Sequence, residues 1–227
     1  MKAFLSQMIV IRANRTKDEK GFSLIELLIA IAIASIVITA TYGLFINYRR
    51  SNTLQTVSTD VQQDLRAAIM LMEQEIRGAG FNPKHVAGLG IQSGSDATTI
   101  IFTSDNDFNG LIAQDDLATA GDELASSPDE WITYGYNPAT RQLTRSSMQA
   151  DGTQFGTQIQ QTVLDNVAGL TFEYRDEDFQ PFVTPVPSAS LADIRSVYVR
   201  IQMVRGTSYG DVDRTAETRI YCRNLNL

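Results

Sequence analysis

The sequence predicts an α+β protein in which one long N-terminal helix packs against an antiparallel β-sheet. An unbroken apolar run extends from Phe22 to Ile46, and a stripe of apolar residues at helical spacing follows it. Residues 81–227 then contain short segments in which apolar and polar residues alternate. Apolar residues that recur every three or four positions indicate a helix, whereas alternation indicates a strand with one buried face.

The apolar run is long enough to cross a membrane. Roughly 20 apolar residues span a bilayer as a helix, and this run contains no proline and only one charged residue, Glu26. Residues 1–21 carry more basic than acidic side chains, so the positive-inside rule leaves them in the cytoplasm and the bulk of the chain outside. A cleaved secretory signal is the alternative, but its apolar core would be shorter, and Ala40–Gly43 is a weak cleavage site for it.

The helical pattern continues beyond the apolar run as a single stripe. The stripe consists of Leu54, Val57, Val61, Leu65, Ile69, Met72 and Ile76. Glu73 and Arg77 form an i,i+4 pair in the favourable order, and Gly78-Ala79-Gly80 ends the pattern. We therefore predict an all-round apolar helix over residues 22–48 and an amphipathic continuation over residues 49–80, whose apolar face covers a sheet.

The segments with alternating pattern make residues 81–227 a β-rich domain. The predicted strands are Thr98–Thr103, Trp131–Tyr136, Arg141–Arg145, Leu170–Tyr174, Val197–Met203 and Thr218–Arg223. The turn Asn137–Thr140 joins the second and third of these strands into a hairpin. The sheet exposes one face to water and buries the other, and the stripe on the helix is its expected cover.

Composition argues against several classes of function. The 227 residues include one cysteine, Cys222, and one histidine, His85, and the net charge is -7. A lone cysteine closes no internal disulfide, so we expect Cys222 to be a small buried residue on a strand. With one histidine and one cysteine most nucleophile–base pairs are absent, which argues against an enzyme. An acidic chain without a basic run is a poor binder of nucleic acid.

Glu26 raises the functional question, because a charge inside a membrane span is expensive and marks a functional site by default. The alternative is that the side chain lies near the membrane edge and reaches water, since it follows Phe22 by only four residues, about 6 Å along a helix. Spacing alone leaves both interpretations open.

The stretch KGFSLIELLIAIAI, Lys20–Ile33, resembles the processing motif of type IV pilins and type II secretion pseudopilins. That motif is a basic leader ending in glycine, an aromatic residue, and an apolar helix with glutamate at its fifth position. Lys20, Gly21, Phe22 and Glu26 match it in order. The leader is longer than in many pilins, and Met8 is an alternative start.

The resemblance implies a role for each matching residue. Prepilin peptidase would cut between Gly21 and Phe22, removing a cytoplasmic leader of residues 1–21, and the new amine of Phe22 would be methylated. Glu26 would then pair with the positive N-terminus of a neighbouring subunit in the filament. Gly43 lies where many major pilins carry a proline; it marks either a softer point in the helix or a close contact with a neighbouring helix.

Three outer segments are similar to the PilW group of minor pilins: IRGAGF at Ile76–Phe81, DEWITYGY at Asp129–Tyr136 and CRNL at Cys222–Leu225. This resemblance implies a subunit of the initiating or tip complex of a pilus, with roles in pilus assembly, adhesion or motility. It implies an inner-membrane precursor that later moves to the pilus at the cell surface, with other pilins and the assembly machinery as partners. The alternatives are a J-type minor pseudopilin of type II secretion and a membrane-anchored periplasmic enzyme.

One acidic loop has the spacing of a calcium site. The sequence SDNDFNGLIAQDD places Asp105, Asp107, Asn109, Leu111 and Asp116 at positions that supply oxygen ligands in a calcium loop, with the Leu111 ligand being its backbone carbonyl. Asp116 replaces the usual bidentate glutamate and reaches less far, and the loop follows a strand rather than a helix. A solvated acidic loop is the alternative, so calcium is the one cofactor that the sequence suggests.

If this loop binds calcium, added calcium raises the melting temperature of the domain, because a ligand that binds only the folded state stabilises it. Asp105→Ala should abolish that rise. An unmodified domain whose melting temperature does not respond to calcium would contradict the assignment.

Overall fold

The computed structural model describes residues 21–85, 89–105, 130–149 and 157–225. They divide into two units, one ending at Arg49 and the other beginning at Arg50. The leader predicted at residues 1–21 lies outside the described residues, apart from Gly21.

A single helix, α1, extends from Leu24 to Gly78. It begins two residues after the predicted start at Phe22 and ends two residues before the predicted boundary at residue 80. No proline interrupts these residues, so every backbone amide from the second turn onward can donate to the carbonyl four residues earlier. The predicted ion pair forms between Glu73 and Arg77 on its exposed surface.

The second part of α1 buries the stripe that the sequence predicts. Val61, Leu65, Met72 and Ile76 are almost fully buried, and Ala68 lies on the same face. The three other stripe residues, Leu54, Val57 and Ile69, are partly buried against the core. Burial of a large aliphatic side chain contributes about 1.5–3 kcal/mol, so this face holds the helix on the domain.

Seven strands form two antiparallel sheets within the part of the chain that the structure describes. They are β1 Thr99–Thr103, β2 Trp131–Asn137, β3 Gln142–Gln149, β4 Thr157–Leu164, β5 Val167–Arg175, β6 Ser196–Thr207 and β7 Gly210–Tyr221. The first sheet has the order β1-β2-β3-β4, and the second has the order β5-β6-β7. The expected α+β arrangement of a long helix and an antiparallel β-rich domain is therefore confirmed, but the described strands form two sheets rather than the single sheet predicted.

Apolar and polar residues alternate along β6, and this alternation explains why one face of the second sheet is buried. Val197, Val199, Ile201 and Met203 are completely buried, which is the face that their spacing predicts. The hairpin to β7 pairs Ser196 with Tyr221 at one end and Thr207 with Gly210 at the other. Gly210 has a φ of 131°, which glycine adopts without strain, and this allows the two-residue turn.

Two features of the sheets differ from the sequence prediction. β4 was not predicted, because TQIQQTVL carries glutamine and threonine at most positions and shows no clear apolar face. β7 extends from Gly210 rather than Thr218 and ends at Tyr221, so Cys222 follows the strand instead of lying on it. The polar first half of β7 is held by its pairing with β6, which propensity does not reveal.

A polar cluster joins α1 to the first sheet. The Tyr134 hydroxyl donates to Glu75 Oε2 over 2.5 Å, and Arg145 Nε donates to Glu75 Oε1 over 3.0 Å. Burial, reinforced by the Glu75 carboxylate, raises the pKa of Tyr134 far above its ordinary value, so the hydroxyl keeps its proton at physiological pH. Charged hydrogen bonds of low exposure contribute more than surface pairs.

The C-terminal segment closes the end of α1. The Asn224 side-chain amide donates to the Gly78 carbonyl over 3.4 Å. A Cβ at Gly80, where φ is 78°, would lie 2.7 Å from Leu225 Cδ2, and one at Gly90 would lie 2.5 Å from the same atom. Leu225 therefore packs against two glycines, Gly80 and Gly90, whose φ angles of 78° and 125° favour glycine.

Replacing Glu75 tests how strongly the cluster holds the helix. Glu75→Ala should lower the free energy of unfolding by about 2–3 kcal/mol, because it leaves the buried Arg145 cation and the buried Tyr134 hydroxyl without their shared carboxylate. Glu73→Ala, two residues earlier on the same helix, is the control and should cost about 0.5 kcal/mol, since its pair with Arg77 is exposed. Urea unfolding of both variants measures the difference; equal costs would show that the cluster contributes no more than a surface pair.

Candidate assembly site

The residues of the predicted processing site lie immediately before α1. Gly21, Phe22 and Ser23 are outside the helix, and the Phe22 side chain is 89% exposed in the single chain. The peptide bond between Gly21 and Phe22 is therefore not held in a helical hydrogen-bond ladder. A protease can bind such a segment in the extended form that proteases need.

Glu26 lies in the first turn of α1 and caps it. The Ser23 backbone amide donates to Glu26 Oε2 over 2.9 Å, and the Leu27 amide donates to the Ser23 carbonyl over 3.1 Å. This is the carboxylate half of a capping box, in which the third residue of the helix accepts from the residue before its start. A negative charge there is also favoured by the helix dipole.

The capping role was missed from the sequence, although Ser23 and Glu26 have the S-x-x-E spacing that signals it. It adds a third reading to the two that the sequence left open for this carboxylate. In the single chain, the exposed Glu26 carboxylate has a donor in its own chain, the backbone amide of Ser23.

The surface of α1 that follows Glu26 is apolar and exposed. Residues 21–50 are all exposed in the single chain, including Ile29, Ile33, Val37 and Phe45, each more than half exposed. By length and composition α1 is able to cross a membrane, and it is the single described helix of which this is true. Lipid or other helices must cover this surface, because exposing it to water would forfeit the hydrophobic free energy.

Three hydroxyl side chains within the apolar part of α1 donate hydrogen bonds to backbone carbonyls of the same helix. Ser35 donates to the Ala32 carbonyl, Thr39 to the Ser35 carbonyl and Thr41 to the Val37 carbonyl, each over 2.8 Å. Hydroxyls that bond one turn back leave no unmet donor facing lipid. These residues therefore do not oppose a membrane location.

Gly43 lies within an unbroken helix, and a Cβ there would meet nothing within 4 Å. The single chain thus supplies no steric reason for a glycine at this position. Both roles predicted from the sequence, a soft point and a contact with another helix, stay predictions.

Near the end of the apolar surface, the Arg49 guanidinium lies 5.8 Å from the centre of the Phe45 ring. This is a cation–π contact suited to a membrane interface.

The predicted calcium loop falls almost entirely outside the described residues. Asp107, Asn109, Leu111 and Asp116 are not described, so calcium binding stays a prediction. Asp105 is described; it is completely buried, and its amide donates to the Phe81 carbonyl over 2.9 Å. Asp105→Ala would therefore perturb the fold itself, and Asp107→Ala is the cleaner test. Within the described ranges, no three His, Cys, Asp or Glu side chains form a metal site.

Cys222 is buried, as the sequence predicts, and its thiol is free. Burial raises its pKa to about 12, although Arg195 acts in the opposite direction. The thiolate is the reactive form of cysteine, so the folded domain holds this residue in an unreactive state.

A family model described as the prokaryotic N-terminal methylation motif matches residues 16–42. The matched range contains Gly21, Phe22 and Glu26 and 21 of the 25 residues of the apolar run Phe22–Ile46. No curated protein matches the chain.

The motif and the long apolar helix support a type IV pilin-like prepilin, with a membrane-anchored precursor. The motif belongs to a structural rather than a catalytic family. It implies processing by prepilin peptidase and assembly with other pilins.

Thiol labelling tests the burial of Cys222. The folded chain should react with a maleimide at pH 8 about a hundredfold or more slowly than the same chain in urea, because burial disfavours the thiolate and blocks access. As this is the single cysteine of the chain, any label reports on it alone. Equal rates in the folded and unfolded states would show that the residue is open to reagents and to disulfide exchange.

Proposed function

We propose that this chain is a minor type IV pilin of the PilW type that is built into the initiating or tip complex of a pilus. The observation that carries the proposal is the position of Glu26: it lies at the start of an unbroken apolar helix, inside the methylation motif, on a chain with a β-rich domain. A carboxylate at this position is what subunit assembly by charge pairing requires.

The proposed processing follows from the same segment. Residues 1–21 are the cytoplasmic leader, prepilin peptidase cuts between Gly21 and Phe22, and the amine of Phe22 is methylated. Residues 22–48 then anchor the precursor in the inner membrane and later lie in the filament. Residues 49–80 continue the helix onto the extracytoplasmic domain of residues 81–227.

The proposed assembly step pairs Glu26 with the positive N-terminus of a neighbouring subunit. A carboxylate in a medium of low dielectric is tolerated when a cation matches it, and removing the cation leaves a large penalty. Subunits that are out of register leave both charges unmatched. The pairing therefore enforces register between neighbouring subunits, in addition to holding them together.

The outer domain supports the PilW type through the way its three similar segments meet. IRGAGF ends at Phe81, next to Gly80, and CRNL ends at Leu225, whose side chain packs on Gly80. The Gly80 amide donates to the Thr103 carbonyl over 2.9 Å, and Thr103 pairs with Trp131 of DEWITYGY. Segments that are distant in sequence thus meet near the end of α1, and this supports treating their similarity as one shared feature.

A J-type minor pseudopilin of a type II secretion system is the second candidate. The methylation motif and the apolar helix fit it equally well, because both kinds of filament use the same processed helix. The outer segments favour the pilus. Adhesion and motility roles depend on partners at the pilus tip and follow only if the pilus assignment holds.

Deletion of the gene should reduce the number of surface pili counted by electron microscopy, and complementation with the unmodified chain should restore them. Complementation with Glu26→Ala should fail, although the variant is inserted and cleaved, because the charge that pairs with the neighbouring subunit is gone. Glu73→Ala, on the exposed surface of the same helix, is the matched control and should restore pili.

Normal piliation of the deletion strain, together with a loss of secreted proteins, would contradict the pilus assignment in favour of the secretion pseudopilus. Full restoration of pili by Glu26→Ala would contradict the role given to the carboxylate. A chain that keeps residues 1–21 in the membrane fraction would contradict the processing step, and N-terminal sequencing detects this directly.

A further inference from the structure

The start of α1 poses a problem that charge pairing between subunits does not solve. The first four amides of a helix have no partner within the helix, and a polar group without a partner in lipid costs several kcal/mol. Before assembly no neighbouring N-terminus is present, so the Glu26 carboxylate and the first amides must be satisfied within one chain.

The geometry of the first turn satisfies one of these amides and one carboxylate oxygen with a single contact. The Ser23 amide donates to Glu26 Oε2 over 2.9 Å. Within the described part of the chain, the other carboxylate oxygen of Glu26 accepts no hydrogen bond, and neither does the Ser23 hydroxyl take part in one. The contact therefore uses the backbone N–H of Ser23 and one of the two carboxylate oxygens.

Such a contact restricts the rotamers of a long side chain. A free glutamate loses about 1.5–2 kcal/mol of conformational entropy when it is fixed, and an interaction partner must supply that cost at the moment of binding. A side chain that is already held by its own helix has lost much of this freedom beforehand. Its second oxygen also keeps the capacity to accept a bond, since a carboxylate has about four acceptor sites.

We propose that the backbone amide of Ser23 is a positioning group, which holds Glu26 through Oε2 in the unassembled subunit and leaves Oε1 open for the cation of a neighbouring subunit. This inference rests on the proposed function, because it specifies how the assembly carboxylate is prepared. It explains how an apolar helix carries a charge before it has a partner: the amide and the helix dipole both stabilise it.

The identity of the donor suggests a matched pair of variants. Ser23→Pro removes the N–H and is compatible with the start of a helix, where proline is tolerated. Ser23→Ala keeps the N–H and removes only the hydroxyl, which makes no contact in the described chain. The two variants differ in the one group that the proposal names.

The assay compares the amount of processed chain in sheared pili with the amount of processed chain that remains in the membrane fraction. Relative to the unmodified protein, Ser23→Pro should lower this ratio about fivefold, the effect of losing one helix cap. Ser23→Ala should leave it unchanged. In a Glu26→Gln background Ser23→Pro should add no further loss, because the charge on which the amide acts is absent.

A second variant covers the case in which Ser23→Pro is not cleaved. Glu26→Asp keeps the charge and the native cleavage site but shortens the side chain by one methylene, so the carboxylate no longer reaches the Ser23 amide in the same geometry. It should also lower the ratio several-fold. Unchanged incorporation of Glu26→Asp, or of cleaved Ser23→Pro, would overturn the proposal.

Amide hydrogen exchange of the full chain in lipid nanodiscs gives a readout that does not depend on pili. The Ser23 amide should be protected in the unmodified protein and in Ser23→Ala, and it should exchange at least about tenfold faster in Glu26→Ala. An unprotected Ser23 amide in the unmodified protein would overturn the cap. If the amide is protected but the unmodified chain is absent from pili, the proposed function fails while the cap stands, so the two failures are distinguishable.

Discussion

The apolar surface at the start of α1 is the constraint on which the rest of this protein depends. Residues 21–50 are exposed in the single chain, and a surface of this size and composition is stable only in lipid or against other helices. The methylation motif lies on the same residues. The need for a membrane and the need for other subunits thus arise from one segment. Lipid covers its apolar surface before assembly, and a bundle of helices can cover the same surface afterwards.

The second part of the same helix meets a different requirement, because only one of its faces is apolar. That face consists of Val61, Leu65, Met72 and Ile76, and it is buried in the core of the domain. Shape alone would permit the helix to slide along its axis, since apolar contacts are not directional. The bonds from Tyr134 and Arg145 to Glu75 are directional, and they assign one position to the helix on the first sheet.

The two ends of α1 are closed by different means that suit their surroundings. At the start, the Glu26 carboxylate accepts from the Ser23 amide of the same turn, which needs no other element and works in lipid. At the end, the Gly80 amide bonds to the Thr103 carbonyl, and Leu225 packs on Gly80. The S-x-x-E spacing reveals the local cap. The closure at the end joins Gly80 to residues 23 and 145 positions further along the chain, and no local pattern reveals it.

The sequence by itself determined the long helix, its division into an all-round apolar part and a one-faced part, and the processing motif around Gly21, Phe22 and Glu26. These follow from periodicity and from neighbouring residues, which act over one or two helical turns. Only the tertiary structure decided the strand β4 and the full length of β7, because polar segments become strands when a partner strand supplies their hydrogen bonds. It also decided the Glu75 cluster and the place of Leu225, since both depend on side chains that folding brings together from distant parts of the chain.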